Sequence, residues 1–382
     1  MTWRSDWVDI REEDIARVSR QLAAGTATVV SGGVLGRFEN AFGAFAGAQY
    51  AVAMNSGTSA LYAALFAVGV GPGDDVLMPD YAFHGAAAAV LALGARVVPC
   101  DVEARGLTFD PADLARAITK QTKAVLVHHP WGIPADLAAI RAATGLPIVS
   151  DASHAHGATL RGRPLAAWSD ITCFSLGYGK LITGGELGCA VTDAPHLADR
   201  MMICGHVNRV PRDLEVVQWA GNAVGLKLRP HAVALTLALG QLPRFPEKAR
   251  LIRATANAIE LACERHGLSP LRPPEEAERA YWRVVLQLDP ERWTGVETSQ
   301  VEERLRAAGI PVEPCAYWPL LQNQSLFDWP GHESRILRRA CPVAAAIAPR
   351  TITLPAPVRL EPETLCGLPG TIAAALSCVQ RP

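Results

Sequence analysis

The chain has 382 residues, 49% of them hydrophobic, with Lys+Arg at 36, Asp+Glu at 37 and a net charge of -1. This length allows two or three domains with a sizeable core, and the near-neutral charge gives no electrostatic footprint for nucleic acid or an anionic membrane. Nine cysteines lie between Cys100 and Cys378 without a Cys-x-x-Cys pair, so neither a disulfide framework nor a metal site is expected and a reducing, cytoplasmic setting fits.

The opening MTWRSDWVDIREED mixes both charge signs and lacks a central apolar region, so it does not read as a signal peptide. A helix is expected over 11–24, a Ser-Gly-Gly turn over 31–33, and a second helix from near Gly36 with Phe38, Phe42 and Phe45 at helical spacing. A short strand over 50–54 runs into Asn55-Ser56-Gly57-Thr58 and then a helix. Free N–H groups at a helix N-terminus, flanked by small hydroxyls, make an anion pocket, so Ser56, Gly57 and Thr58 could hold a phosphate. The alternative is a plain helix cap.

From Pro72 strand and helix alternate: strands over 75–78, 96–99, 124–128 and 146–150, and helices over 84–93, 111–118 and 135–144. Such alternation predicts an α/β fold with a mostly parallel sheet covered on both faces. The run over 82–95 is the nearest approach to a membrane span, and reads more simply as a buried helix. Further strands are expected over 171–174 and 187–191, followed by helices from His196 and a long helical segment over 232–266. After a Pro/Arg-rich stretch, a strand over 282–288, a helix over 299–308 and a strand over 311–314 suggest a smaller C-terminal α+β domain. The expected division is 1–244 for the N-terminal segment with the large domain and 245–382 for the small one.

Asp151 ends an apolar run and Lys180 sits in a Gly-rich loop. In open α/β sheets ligands bind outside the carboxyl ends of the strands, where Asp151 would emerge. An anion pocket, a strand-end acid and a loop lysine are together what pyridoxal phosphate requires: phosphate neutralisation, a protonated ring nitrogen and an imine-forming amine.

The strings GRFENAFGAFAGAQYAVAMNSGTSAL, GPGDDVLMP, DASHAHGATLRGRPL, FSLGYGKLITGGELG and TITLPAP occur in that order between Gly36 and Pro357. In these strings the chain resembles the DegT/DnrJ/EryC1/StrS family of sugar and cyclitol aminotransferases, of fold type I. The resemblance implies that Lys180 is the Schiff-base lysine and the proton shuttle, and that Asp151 holds the pyridinium nitrogen. Ser56, Gly57, Thr58 and Ser175 would surround the phosphate, and Phe83 would stack on the ring. His154 would stand beside the phenolic oxygen, where many members have Gln, with His156 structural. Leu181 replaces the family's usual Asn, and Leu187 its usual Gly, changes expected to reshape the site.

The substrate-facing candidates are Trp131, Tyr178, His206, Asn208, Lys227, Arg229 and His231, and the segment GLKLRPH corresponds to one near the family's dimer interface. Each of these taken alone reads more readily as a surface or capping residue, since Lys and Arg are usually solvated. The resemblance implies a homodimeric aminotransferase that moves an amino group from glutamate or glutamine to a keto-sugar or keto-cyclitol in secondary-metabolite or glycan biosynthesis. A nucleotide-linked ketosugar as acceptor, a non-transaminating enzyme of the same fold, and a degenerate regulator are the alternatives.

Overall fold

The computed structural model describes residues 9–28, 33–206, 209, 225–313, 315 and 317–377. Its centre is a seven-stranded sheet: β1 (Tyr50–Met54), β2 (Asp75–Pro79), β3 (Arg96–Cys100), β4 (Thr122–His128), β5 (Ile148–Asp151), β6 (Ile171–Ser175) and β7 (Gly188–Thr192). The order is β1-β7-β6-β5-β4-β2-β3, and β7 runs antiparallel to both of its neighbours while the other pairs are parallel. The antiparallel β7 follows from its short connection, because residues 176–187 return directly to the neighbouring position without a crossover helix. Lys180 lies within that return.

Both faces of the sheet are buried, and the pleat sorts alternate residues to two cores. Leu77, Val125 and Val127 join one apolar cluster, whereas Val76, Met78, Ala124 and Leu126 join the other. Near-continuous apolar strands are the consequence of covering a parallel sheet on two sides. Helices Val34–Ala46 and Gly57–Ala67 belong one to each cluster.

Beyond the sheet lies a smaller antiparallel one of β8 (Leu268–Pro270), β9 (Arg283–Leu288) and β10 (Thr351–Pro355), in that order. It packs with the helices Phe245–Glu264, Thr298–Ala307 and Pro362–Ser377. The helical segment expected over 232–266 is two helices, Ala232–Gln241 and Phe245–Glu264, with a 3-10 turn at Leu242–Arg244. Pro243 and Pro246 explain the break, since each lacks an N–H and crowds the carbonyl four residues earlier. The strand expected over 311–314 reduces to one bridge between Glu313 and Thr353; Pro311 has no N–H to offer a ladder, and Pro314 lies outside the described residues, as do Ser31 and Gly32 of the expected turn.

After Tyr317 the chain returns to the large sheet. Leu321 donates its N–H to the Asp80 carbonyl at 2.8 Å, Gln322 binds the Asp80 carboxylate, and Ile336 bridges Val97. These contacts anchor the segment that delivers Tyr317 to the carboxyl ends of the strands.

Candidate active site

A cavity of about 320 Å³ opens at those strand ends. Its floor is set by two neighbouring parallel strands, with His128 ending β4 directly beside Asp151 at the end of β5. Asp151 is 3% exposed. Burial alone would raise its carboxyl, but His128 and the Ser153 N–H, 3.0 Å from Oδ1, outweigh that and hold it at about 2. His128 Nδ1 is 3.6 Å from Asp151 Oδ2, an electrostatic contact longer than a good hydrogen bond. Asp151 is therefore ionised at neutral pH.

At one end of the cavity, Ser56 caps the helix Gly57–Ala67, its Oγ accepting the Ser59 N–H at 3.1 Å. The first N–H groups of that helix have no intrahelical acceptor, so the cap and the anion pocket are one arrangement. Two glycines make it possible. A Cβ on Gly57 would lie 2.7 Å from the Ser175 Cβ, and one on Gly188 would lie 2.1 Å from the Ser56 carbonyl oxygen. The turn thus rests directly on β6 and β7, with Ser56, Gly57, Thr58 and Ser175 all on the cavity wall.

Lys180 faces the same cavity. Burial lowers its amine to about 8; Asp151 opposes that shift and the Arg283 charge adds to it. Its Nζ sits 4.4 Å from the Trp282 ring centroid, and Trp282 Nε1 donates to the Gly179 carbonyl at 2.9 Å, tying the lysine's loop to the start of β9. Lys248 Nζ donates to the Leu181 carbonyl at 2.7 Å on the far side. The loop is held at both flanks of the lysine.

Phe83, 44% exposed, is the N-cap residue of the helix His84–Ala92 and lines the wall. His154 lines it too, stacked flat on Trp282 at 3.6 Å between centroids. Burial, with the charges of Lys180, His128 and Arg283, pushes the His154 imidazole well below its ordinary range, so it is neutral.

The substrate-facing candidates are separated. Tyr178 is 85% exposed at the cavity mouth. Trp131 is buried behind the wall, its Nε1 donating to the Tyr81 hydroxyl at 2.9 Å and its ring stacked on Trp282. His206 is buried away from the cavity, with Nε2 2.6 Å from the Ala53 carbonyl. Arg229, His231 and Lys227 line a different, open groove with Thr26 and Thr28, and Asn208 lies outside the described residues. Leu181 and Leu187 are both buried in the core beneath the loop and neither lines the cavity. His156 is likewise buried off the wall.

His128, Trp282, Tyr317 and Glu186 line the cavity and escape the sequence reading. The strand-end argument applied to Asp151 would have found His128 one strand over. Tyr317 bonds His154 across 163 residues, a pairing without local signal.

A model of the DegT/DnrJ/EryC1/StrS aminotransferase family matches residues 8–368. Among curated proteins, the L-glutamine:2-deoxy-scyllo-inosose aminotransferase of Streptoalloteichus tenebrarius is 33% identical over 75% of this chain and 70% of its own length. The 3-amino-5-hydroxybenzoate synthase of Amycolatopsis mediterranei is 30% identical over 94% and 93%. Among solved structures, a 3-amino-5-hydroxybenzoic acid synthase superimposes with a TM-score of 0.82 at 26% identity, covering 98% of each chain.

Proposed function

The chain belongs to the DegT/DnrJ/EryC1/StrS aminotransferase family, and from that membership we propose a pyridoxal phosphate enzyme that transfers an amino group from glutamine or glutamate to the ketone of a cyclitol or sugar. The observation that carries the reading is the convergence of Lys180, ionised Asp151 and the Ser56–Thr58 helix terminus on one cavity. The donor set fits the cofactor: a phosphate cradle that a Cβ would fill, an acid for a ring nitrogen and an amine within the same walls. When bound, pyridoxal phosphate supplies an electron-accepting ring for the exchange.

In this proposal Ser56, Gly57, Thr58 and Ser175 hold the phosphate. Phe83 packs on the ring, and Asp151 keeps a proton on the ring nitrogen. Lys180 carries the cofactor. Once released, its amine moves a proton, and burial prepares it for that by making the neutral form accessible near pH 8. Lys180 is the sole Lys or Arg among the described wall residues, and Glu186 adds a carboxylate. The similarity to a 2-deoxy-scyllo-inosose aminotransferase supports a polyol acceptor over a nucleotide-linked sugar. Tyr178 and Glu186 at the mouth would meet its hydroxyls.

The same proposal makes the enzyme a homodimer in which the Arg229 and His231 groove serves the partner's site. It places the enzyme in the cytoplasm, in keeping with the unpaired thiols of its described cysteines. No helix among the described residues is long and apolar enough to cross a membrane. The test is to load the purified protein with pyridoxal phosphate, add L-glutamine or L-glutamate, and follow the cofactor's absorption, then supply a keto-cyclitol or a nucleotide-linked ketosugar. Transfer to the keto-cyclitol is expected. A spectrum unmoved by either donor sinks the reading, and transfer only to the nucleotide-linked sugar overturns the acceptor.

A further inference from the structure

Lys248 is a cation at an apolar position. On the helix Phe245–Glu264, Phe245, Lys248, Ile252 and Ala256 follow one another at helical spacing on the buried face, and Lys248 is 7% exposed. Burial pushes its amine down to about 8, with Asp9 opposing the shift and Arg244 adding to it. A methionine would fill the same space without that cost. Lys248 does not line the cavity at the strand ends, so contact with a ligand there does not account for it.

The ammonium reaches the peptide that follows Lys180. Lys248 Nζ donates to the Leu181 carbonyl at 2.7 Å, and Trp282 Nε1 donates to the Gly179 carbonyl at 2.9 Å. The carbonyls before and after Lys180 are thus both held by side chains that arrive from the smaller sheet and its helices. Between them Lys180 closes a tight turn, its N–H meeting the Gly177 carbonyl at 3.2 Å, with Gly179 in the left-handed region such a turn demands.

We propose that Lys248 is a positioning residue: with Trp282 it clamps the backbone on both sides of Lys180, so that the lysine's amine is presented to the cavity where an imine with the cofactor forms. This rests on the pyridoxal phosphate reading above.

The reason is geometric. In capture of the cofactor, the neutral Lys180 amine adds to the aldehyde carbon, a C=N bond forms and water leaves. The lysine stem is long and flexible, so its backbone anchor decides how often the amine meets that carbon. A displacement of about 1 Å is enough to slow such a step by roughly 10²-fold. The other proposed attachments of the cofactor do not pass through the clamp. Ser56, Gly57 and Thr58 stand at a helix terminus, and Asp151 and Ser175 end strands of the large sheet. Lys248 therefore acts on imine formation and leaves binding of the phosphate and ring alone, two quantities that a general loss of packing would lower together.

The test uses the full chain freed of cofactor. Pyridoxamine phosphate has the same phosphate and ring with an amine in place of the aldehyde, so it binds without forming an imine; pyridoxal phosphate does both, and its absorption follows the imine. In Lys248→Met the affinity for pyridoxamine phosphate should stay that of wild type, while imine formation with pyridoxal phosphate slows by roughly 10–10²-fold. Equal imine rates in variant and wild type overturn the inference. A parallel fall in both quantities overturns it too, because it marks Lys248 as a residue of general packing. Should Lys248→Met fail to fold, Trp282→Phe, which keeps a ring and drops the donor to Gly179, is judged by the same two titrations and the same outcomes. A wild type that forms no imine overturns the cofactor reading and this inference with it, whereas a wild type that does form one leaves that reading standing whichever way the variant falls.

Discussion

Replacing Lys180 by methionine should abolish activity and at the same time stabilise the cofactor-free protein. The amine is lowered from its ordinary 10.5 to about 8, chiefly by burial. At ~1.36 kcal/mol per unit, keeping the ammonium in the folded protein below pH 8 costs roughly 3 kcal/mol. Part of this is offset by the Trp282 face 4.4 Å away, which favours the charged form by about 0.5–2 kcal/mol. The net gain for Lys180→Met at pH 7 is then about 1–3 kcal/mol. The sign follows from linkage. Because the folded value lies below the unfolded one, the unfolded chain binds more protons between pH 8 and 10.5, and stability rises with pH across that window. Methionine, of similar length and without charge, removes both the penalty and its pH dependence. Urea unfolding of wild type and Lys180→Met, both stripped of cofactor, should show the variant ahead at pH 7 and the gap closing towards pH 10.5. A variant less stable at pH 7, or a gap that ignores pH, would refute the claim that burial of this amine governs its chemistry.

Gly57→Ala should lose cofactor affinity and about 1–3 kcal/mol of stability, read by titration and by thermal melting, because its Cβ would meet Ser175 at 2.7 Å. Asp151→Asn should retain cofactor binding while turnover falls by roughly 10²–10³ in a steady-state assay, since it removes the buried charge proposed to face the ring nitrogen. Trp131→Phe leaves the Tyr81 hydroxyl without its donor and should cost about 1–3 kcal/mol in denaturation, whereas Tyr178→Phe at the exposed mouth should change KM and leave stability alone. Arg244→Met should cost about 1–3 kcal/mol by taking from the Asp14 carboxylate the guanidinium it meets at 2.7 Å and leaving it the Arg11 N–H. Burial opposes but Arg244 prevails in lowering the Asp14 carboxyl, so this stabilisation is present above pH 3.8 and is lost as pH falls through the depressed value. Acid unfolding of the variant should lack that component.

Much of this protein is written locally. Period-two sorting of residues such as Val76, Leu77 and Met78 specifies strands buried on both faces, and the helix that begins after Ser56 follows from capping chemistry that four residues contain. Asp151 and Lys180 were legible because strand ends and Gly-rich loops mark where an α/β sheet presents chemistry. That Leu181 and Leu187 face the core was not legible, since a loop's sequence does not say which of its side chains turn to the cavity and which to the core. The antiparallel β7 and the remainder of the site belong to the tertiary structure. Trp282 and Tyr317 reach the cavity only because the small sheet and the returning chain dock on the large one, and they meet His154 across gaps that no local propensity records. Trp131 carries the same lesson in reverse, because burial behind that wall, which its sequence neighbours could not foretell, makes it a support for Tyr81 and Tyr317. Local sequence determined the elements and the strand-end and loop positions of Asp151 and Lys180. Packing between distant segments decided what surrounds them, because a hydroxyl shared by two imidazoles exists only after the fold has closed.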